Sequence, residues 1–481
     1  MAAPQTRPNV LLVLTDQERH DMVGPDGIPV ETAAIDDLAA DGVSFRNAFT
    51  PISICSSARA SLLTGRYPHN HGIVNNVHEP DAVRTDLPAS LPTFGSALDE
   101  AGYSNAYVGK WHVGRTQTPA DFGFDYVGGS DDHHDEHLRS GLDSHQRDHG
   151  VDPETVEVRD PIYATFPDGR EVLGGTLPIP PAATRSAYNA ELTIQRLETL
   201  AEGDAPFFHR VDFQGPHHPY LVPEPYASMY DPEDIGAWPS YAETFDGKPA
   251  VQASYRRYRG VEDLTWDDWA RLRALYMGFM HLIDDQIGRI LEALADLGVA
   301  EDTLVVHASD HGDFAGGHRQ WNKGPLMYDD TYRIPLVVRG PGVAGAGRVC
   351  TDLVSLMDLM PTFLELADVS VPPDIDARSL WPALRDEDTD AREAVFGEYH
   401  GDEMGLYSQR MVRTDRYKYV FNAPDGDELY DLAADPHELQ NLVDHPDYRD
   451  VRAGLRDRLS DWMRETDDPI AQFTTRHLGG G

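Results

Sequence analysis

Four stretches of this sequence end in side chains able to do chemistry. Asp16 follows the apolar run 10–14, Lys110 and His112 follow 105–108, His217 and its neighbour His218 follow 207–213, and Asp310 and His311 follow 303–308. Carboxylates hold cations, an ammonium neutralises an anionic oxygen, and imidazoles move protons near neutral pH. Taken singly, each residue is equally a cap or a loop residue. Four in register are not, because open α/β sheets bind their ligands at the carboxyl ends of the strands. Lysine usage points the same way: Lys110, Lys248, Lys323 and Lys418 are the lysines among 40 basic residues. A compact ammonium at Lys110 and Lys323, in a chain that otherwise uses arginine, suits a point charge or a proton donor.

The elements that must position these residues alternate between strand and helix through the first three-quarters of the chain, which predicts a sheet with helices on both faces. The run 10–14 reads as a buried strand, 32–40 as a helix stopped by Gly42, and 90–101 as a helix closed by Gly102 before a strand over 105–108. A helix over 187–200 leads to a strand over 207–213. A long helix runs from Thr265 to Leu297, opened by the capping pair Thr265 and Asp268, and a strand over 303–308 follows. The segment 127–180 lacks periodicity and reads as an elaborated loop. Ser370-Val-Pro-Pro-Asp374 divides the chain into a catalytic unit, 1–370, and a smaller α+β unit, 371–481, with paired strands around Thr414 and a helix over 448–463.

Composition narrows the function classes. The 481 residues carry a formal net charge of −41, which disfavours nucleic acids and anionic membranes as partners. So acidic a surface fits an adaptation to high salt as readily as it fits an acidic mesophilic protein. The first apolar run is too short for a secretion signal or a membrane span, and the expected compartment is the cytoplasm. Cys55 and Cys350 are far apart, so a disulfide framework is not expected; Cys350 lies outside every motif and reads as structural.

Cys55-Ser-Ser-Ala-Arg59-Ala-Ser-Leu-Leu-Thr-Gly-Arg66 resembles the signature of the sulfatase family, in which a cysteine is oxidised to formylglycine. The resemblance continues through Asn9-Val-Leu-Leu-Val-Leu-Thr-Asp-Gln17, Gly109-Lys-Trp-His112, Gly215-Pro-His-His-Pro219, Ser309-Asp-His-Gly312, Trp321-Asn-Lys323 and Arg333-Ile-Pro335. Near the end, Glu428-Leu-Tyr-Asp431 through Asn441-Leu442 matches the family's C-terminal run. Ser57 stands where the signature has Pro or Ala, and Gln17 where many sulfatases carry a second aspartate.

The resemblance implies an alkaline phosphatase-like α/β fold, with a mixed, mainly parallel sheet between helices and a small antiparallel C-terminal sheet. It implies a divalent metal on Asp16, Gln17, Asp310, His311 and the oxygen of modified Cys55, with Ca²⁺ the family default, His311 favouring Mn²⁺, and Mg²⁺ a further choice. It implies that a formylglycine-generating enzyme matures Cys55. The hydrated aldehyde then attacks sulfur, with Arg59 one helical turn away steadying the charge. His217, helped by Lys323, protonates the departing alcohol, with His218 as the competing choice. His112, beside Lys110, deprotonates the second hydroxyl and so expels sulfate. The substrate is a small-molecule sulfate ester. The alternative is a phosphodiester or phosphonate monoester hydrolysed at the same site, with Cys55 unmodified as thiolate or ligand; homo-oligomerisation is left open. The crowded run Asp131-Asp-His-His-Asp-Glu-His137, with His145 and His149, reads as a solvated or substrate-facing loop rather than a second metal site.

Overall fold

The computed structural model describes residues 7–23, 28–131, 134–138, 140–387, 391–402, 405–423 and 425–478. Nine strands form the central sheet: β1 (Asn9–Asp16), β2 (Val43–Phe49), β3 (Ser104–Gly109), β4 (Asp125–Gly128), β5 (Phe207–Pro216), β6 (Thr303–Ser309), β7 (Arg333–Ile334), β8 (Leu336–Arg339) and β9 (Arg348–Ser355). Their order is β7-β2-β8-β6-β1-β5-β3-β4, with β9 also paired to β2. The run β6-β1-β5-β3-β4 is wholly parallel, so its carboxyl ends share one edge. β8 runs antiparallel to both β2 and β6, which makes the sheet mixed.

The apolar run of β1 works as a buried strand because its alternate residues feed two cores. Val10, Leu12 and Leu14 pack with Ile54, Ala58 and Leu62 on one face. Leu11 and Val13 pack on the other face with Ile283, Ile287 and Ile290 of the long helix Trp266–Asp296. Thr265 opens that helix with a reciprocal capping box to Asp268, as the sequence predicts. Among the described residues, no helix is long and apolar enough to cross a membrane.

A four-stranded antiparallel sheet, Val395–Gly401, Leu406–Arg413, Tyr417–Phe421 and Glu428–Asp431, forms the C-terminal part. The helix Arg449–Glu465 covers it through Leu455, Leu459, Trp462 and Met463. Met411 and Val420 pack oppositely, against Phe49, Met327, Tyr332 and Leu353.

Two expectations need correction. The helix expected over 90–101 is Phe94–Glu100, because Thr93 caps it, its hydroxyl accepting from the Ser96 amide. The expected loop 127–180 contains a helix, Leu142–Asp148, and a hairpin, Arg159–Phe166 with Gly169–Thr176, whose second strand pairs with Tyr220–Val222. Pro167-Asp168-Gly169 was the turn signal there, and Ile162, Tyr163, Thr165, Phe166, Val172 and Leu173 mark its flanking strands. Within the acidic loop, Asp132 and His133 lie outside the described residues.

Candidate active site

Parallel pairing of β6, β1 and β5 delivers Asp16, Asp310, His311 and His217 to one edge, and a helix brings residue 55 to meet them. That helix, Cys55–Thr64, is buried along its whole length and ends where Gly65 turns left-handed at φ 66°. Cys55 occupies its first turn, with Sγ 3.2 Å from His311 Nε2 and 3.7 Å from Asp16 Oδ1. Asp16, Cys55, Asp310 and His311 bring one donor atom each within 4.8 Å of one another. His311 Nδ1 lies 2.9 Å from the Gly312 carbonyl, which assigns its proton to that nitrogen and leaves the Nε2 lone pair facing the carboxylates. Asp310 Oδ1 accepts from the amides of His311 (2.9 Å) and Gln17 (3.1 Å).

Arg59 lies beneath this group. Its guanidinium donates to Asp310 (2.9 Å), Asp212 (2.6 Å) and Asp16 (3.2 Å), and to the Lys110 carbonyl (3.1 Å), with no exposed surface. One cation thus fixes three carboxylates. Lys110 Nζ is 2.6 Å from Asp16 Oδ2. Its approach depends on Gly109: at φ 94°, a Cβ there would lie 2.0 Å from the Asp212 carbonyl oxygen. Lys323 Nζ donates to Gln17 Oε1 at 3.1 Å and reaches Asn322 Oδ1 and His217 Nε2 at 3.4 Å, all neutral partners. The Gln17 amide is therefore committed, its nitrogen donating to Asp313 at 2.6 Å and its oxygen facing Lys323. Gln17, His112 and Asn322 all hold positive φ, at 69°, 56° and 64°, in the strained backbone region that gathers at functional sites.

Burial and crowding set the protonation states. Burial and the Asp16 charge push the Cys55 thiol up to about 12. Burial and Asp16 likewise raise Asp310 to about 6. Burial opposes ionisation of Asp16 too, but the charges of Lys110 and Arg59 outweigh it and hold that carboxyl well below its usual range. Burial, reinforced by nearby cations, lowers His112, His217, His218 and His311 far enough to leave them neutral.

A cavity of about 1060 Å³ opens over this floor, lined among others by Cys55, Lys110, His112, His217, His218 and Lys323. His217 Nδ1 contacts the His218 carbonyl at 2.6 Å, so Nε2 meets Lys323 as an acceptor. His218 stacks on His217 with ring centroids 4.3 Å apart and has no Lys323 contact among its hydrogen bonds. His112 Nδ1 is buried without a hydrogen-bond partner among the described residues. His134, from the acidic loop, lines the cavity, whereas His145 hydrogen-bonds the Ala182 carbonyl instead. Cys350 sits buried on β9, away from the cavity.

Sequence reasoning missed Asp212, which holds Arg59, Arg210 and the Tyr107 hydroxyl. Its signal was a charged pair, Arg210 and Asp212, between the apolar residues Phe207, Phe208, Val211 and Phe213 of one strand. Asp313, which receives Gln17 and Tyr220, was missed as well.

With this geometry established, comparison with known proteins is specific. The family model Sulfatase matches residues 8–369, and that of the N-sulphoglucosamine sulphohydrolase C-terminal region matches 316–465. The chain is 31% identical to the uncharacterized sulfatase YidJ of Escherichia coli (strain K12), over 97% of this chain and 89% of that protein. It is 30% identical to the multifunctional alkaline phosphatase superfamily protein PehA of Trinickia caryophylli, over 98% and 99%. The crystal structure of a phosphonate monoester hydrolase of Agrobacterium radiobacter superposes with a TM-score of 0.79 at 30% identity, covering 96% of each chain. The chain therefore belongs to the sulfatase family of hydrolases, within the alkaline phosphatase superfamily.

Proposed function

We propose that this enzyme is a divalent-metal-dependent hydrolase of sulfate esters whose nucleophile is a formylglycine made from Cys55. The observation that carries this reading is residue 55 itself, on a buried helix with its side chain 3.2 Å from His311, and lining the same cavity as Lys110 and Lys323. As a cysteine it is a poor nucleophile, because a thiol pushed up to about 12 stays protonated near neutral pH. Once oxidised by a maturation enzyme and hydrated, the same position offers one hydroxyl to attack and a second whose deprotonation expels the product.

The donor set suits a hard divalent ion, Ca²⁺, Mg²⁺ or Mn²⁺: two carboxylates, one imidazole of fixed tautomer and an oxygen on residue 55. Gln17 is the fifth candidate, through an amide oxygen now shared with Lys323. Two buried carboxylates so close that one is raised to about 6 are repelling each other, and a cation relieves that. When bound, the ion supplies positive charge that polarises the ester.

Arg59 acts as a positioning residue that orients Asp16, Asp212 and Asp310. Lys110 and Lys323 face the non-bridging oxygens, where fixed cations count most as charge develops. The Lys323 ammonium, directed at His217 Nε2, holds the proton for the departing alcohol. His112, neutral and with Nδ1 unpartnered among the described residues, takes the proton of the second hydroxyl. A phosphodiester or phosphonate monoester is the second reading, favoured by the likeness to the Agrobacterium radiobacter phosphonate monoester hydrolase. Paired kcat/KM values on an aryl sulfate, an aryl phosphate diester and an aryl phosphonate decide between them. The sulfate reading expects the aryl sulfate to be hydrolysed fastest, and a preference for the phosphonate or the diester would replace it with the second.

A further inference from the structure

The cavity wall carries a second group of donors, drawn from three separate segments. His78, His112 and His134 bring one ring nitrogen each within 4.8 Å of one another. Their ring centroids lie 4.8 Å (His78 to His112), 4.5 Å (His112 to His134) and 4.2 Å (His78 to His134) apart. His78 Nδ1 is 2.7 Å from His112 Nε2. Carboxylates hold one ring nitrogen of each of the flanking pair: His78 Nε2 is 2.9 Å from Glu79, and His134 Nδ1 is 2.8 Å from Asp131. Proteins use this carboxylate-to-imidazole contact to fix the tautomer of a metal-ligating histidine, leaving its other nitrogen unprotonated.

We propose that His78, His112 and His134 form a second metal site, selective for a borderline ion such as Zn²⁺ and separate from the carboxylate-rich group around Cys55. Three imidazoles favour zinc, copper or nickel over calcium and magnesium. Ligand distances of about 2.0–2.1 Å to zinc set the nitrogens roughly 3.4 Å apart, so the three rings need adjust by only about an ångström to close on an ion. The fourth position of a tetrahedral ion is left for water or an oxygen of a bound anion. With Nε2 on the ion, His112 would keep its ring proton on Nδ1 and could not act as a base, so zinc here opposes turnover. The binding claim itself does not rest on the chemistry assigned to residue 55.

Cobalt substitution tests it on the full-length chain preloaded with Ca²⁺. Co²⁺ added to the wild type should produce the intense visible bands of a four-coordinate ion, and Zn²⁺ should displace them. Elemental analysis after dialysis should find one more zinc per chain than in His78→Ala or His134→Ala, with near-UV circular dichroism reporting the fold of each variant. Asp310→Asn should keep the extra zinc, because the two groups share no residue. Absence of four-coordinate bands in the wild type would overturn the proposal without recourse to any variant. So would equal zinc content and equal cobalt spectra in wild type and folded variants.

Discussion

Two regions of this molecule bury charge in different ways. Around the C-terminal sheet each buried cation lies directly against its own acids: Arg410 on Asp468 at 2.6 Å, Lys418 between Asp329 (2.5 Å) and Glu438 (2.6 Å), and Arg392 on Asp358. At the strand ends the Arg59 guanidinium bridges three carboxylates, two of which Lys110 and Arg210 also contact, Lys323 hydrogen-bonds only neutral acceptors among the described residues, and four imidazoles are held neutral. Matched pairs leave nothing over for a ligand and serve the fold. Unmatched groups with displaced protonation equilibria point at something the chain expects to bind.

Substitutions should divide along this line. Asp310→Asn should lower kcat/KM by on the order of 10³-fold or more and abolish divalent-ion binding at the carboxylate group around Cys55. Its thermal midpoint should stay level or rise, because the change removes one of two mutually repelling carboxylates. Metal content and turnover measured on one preparation check this, and unchanged occupancy would remove Asp310 from the ligand set. Asp468→Ala should do the reverse. It strands the buried Arg410 guanidinium, costs about 3–5 kcal/mol in urea unfolding, and leaves kcat per folded molecule unaltered.

The pair His69 and Glu398 gives a smaller effect with a definite sign. Burial draws the His69 imidazole down, but Glu398, 2.5 Å away, outweighs burial and lifts the group from 6.5 to about 9. The folded chain therefore binds this proton more tightly than the unfolded chain. The contribution is complete below pH 6.5 and is lost as pH rises through about 9, on the order of 3 kcal/mol in total. Glu398 is held well below its ordinary value and stays ionised across that window. Urea unfolding from pH 6.5 to 9.5 should show wild-type stability falling toward that of Glu398→Gln; parallel curves would mean the pair is not linked to folding.

The same division explains what was legible in the sequence. Features set by neighbours in the chain could be read directly: the two-faced strand through Val10 to Leu14, the capping box of Thr265 and Asp268, and strand ends carrying Asp16, Lys110, His217 and Asp310. Cys55 and Arg59 were visible because they share one helix. Features made by long-range closure could not be read. Nothing local joins Asp212 to Arg59, and His78, His112 and His134 meet only because loops from separate segments fold over one cavity. Arg59 was legible by position, but its hydrogen bonds to Asp16, Asp212 and Asp310 were not, because they join the helix to three separate strand ends.

The state of residue 55 tests the account most directly. Peptide mass spectrometry across residues 47–59, on active enzyme from its native host, should find formylglycine, lighter than the thiol, in at least part of the protein. Cys55→Ala should then lose nearly all turnover, and Cys55→Ser should retain at most a trapped sulfated or phosphorylated form, because a single hydroxyl lacks the second group that expels the product. Unmodified cysteine as the sole form in a fully active preparation would contradict the formylglycine mechanism and leave a metal-dependent phosphodiesterase, with Cys55 as thiolate or ligand, in its place.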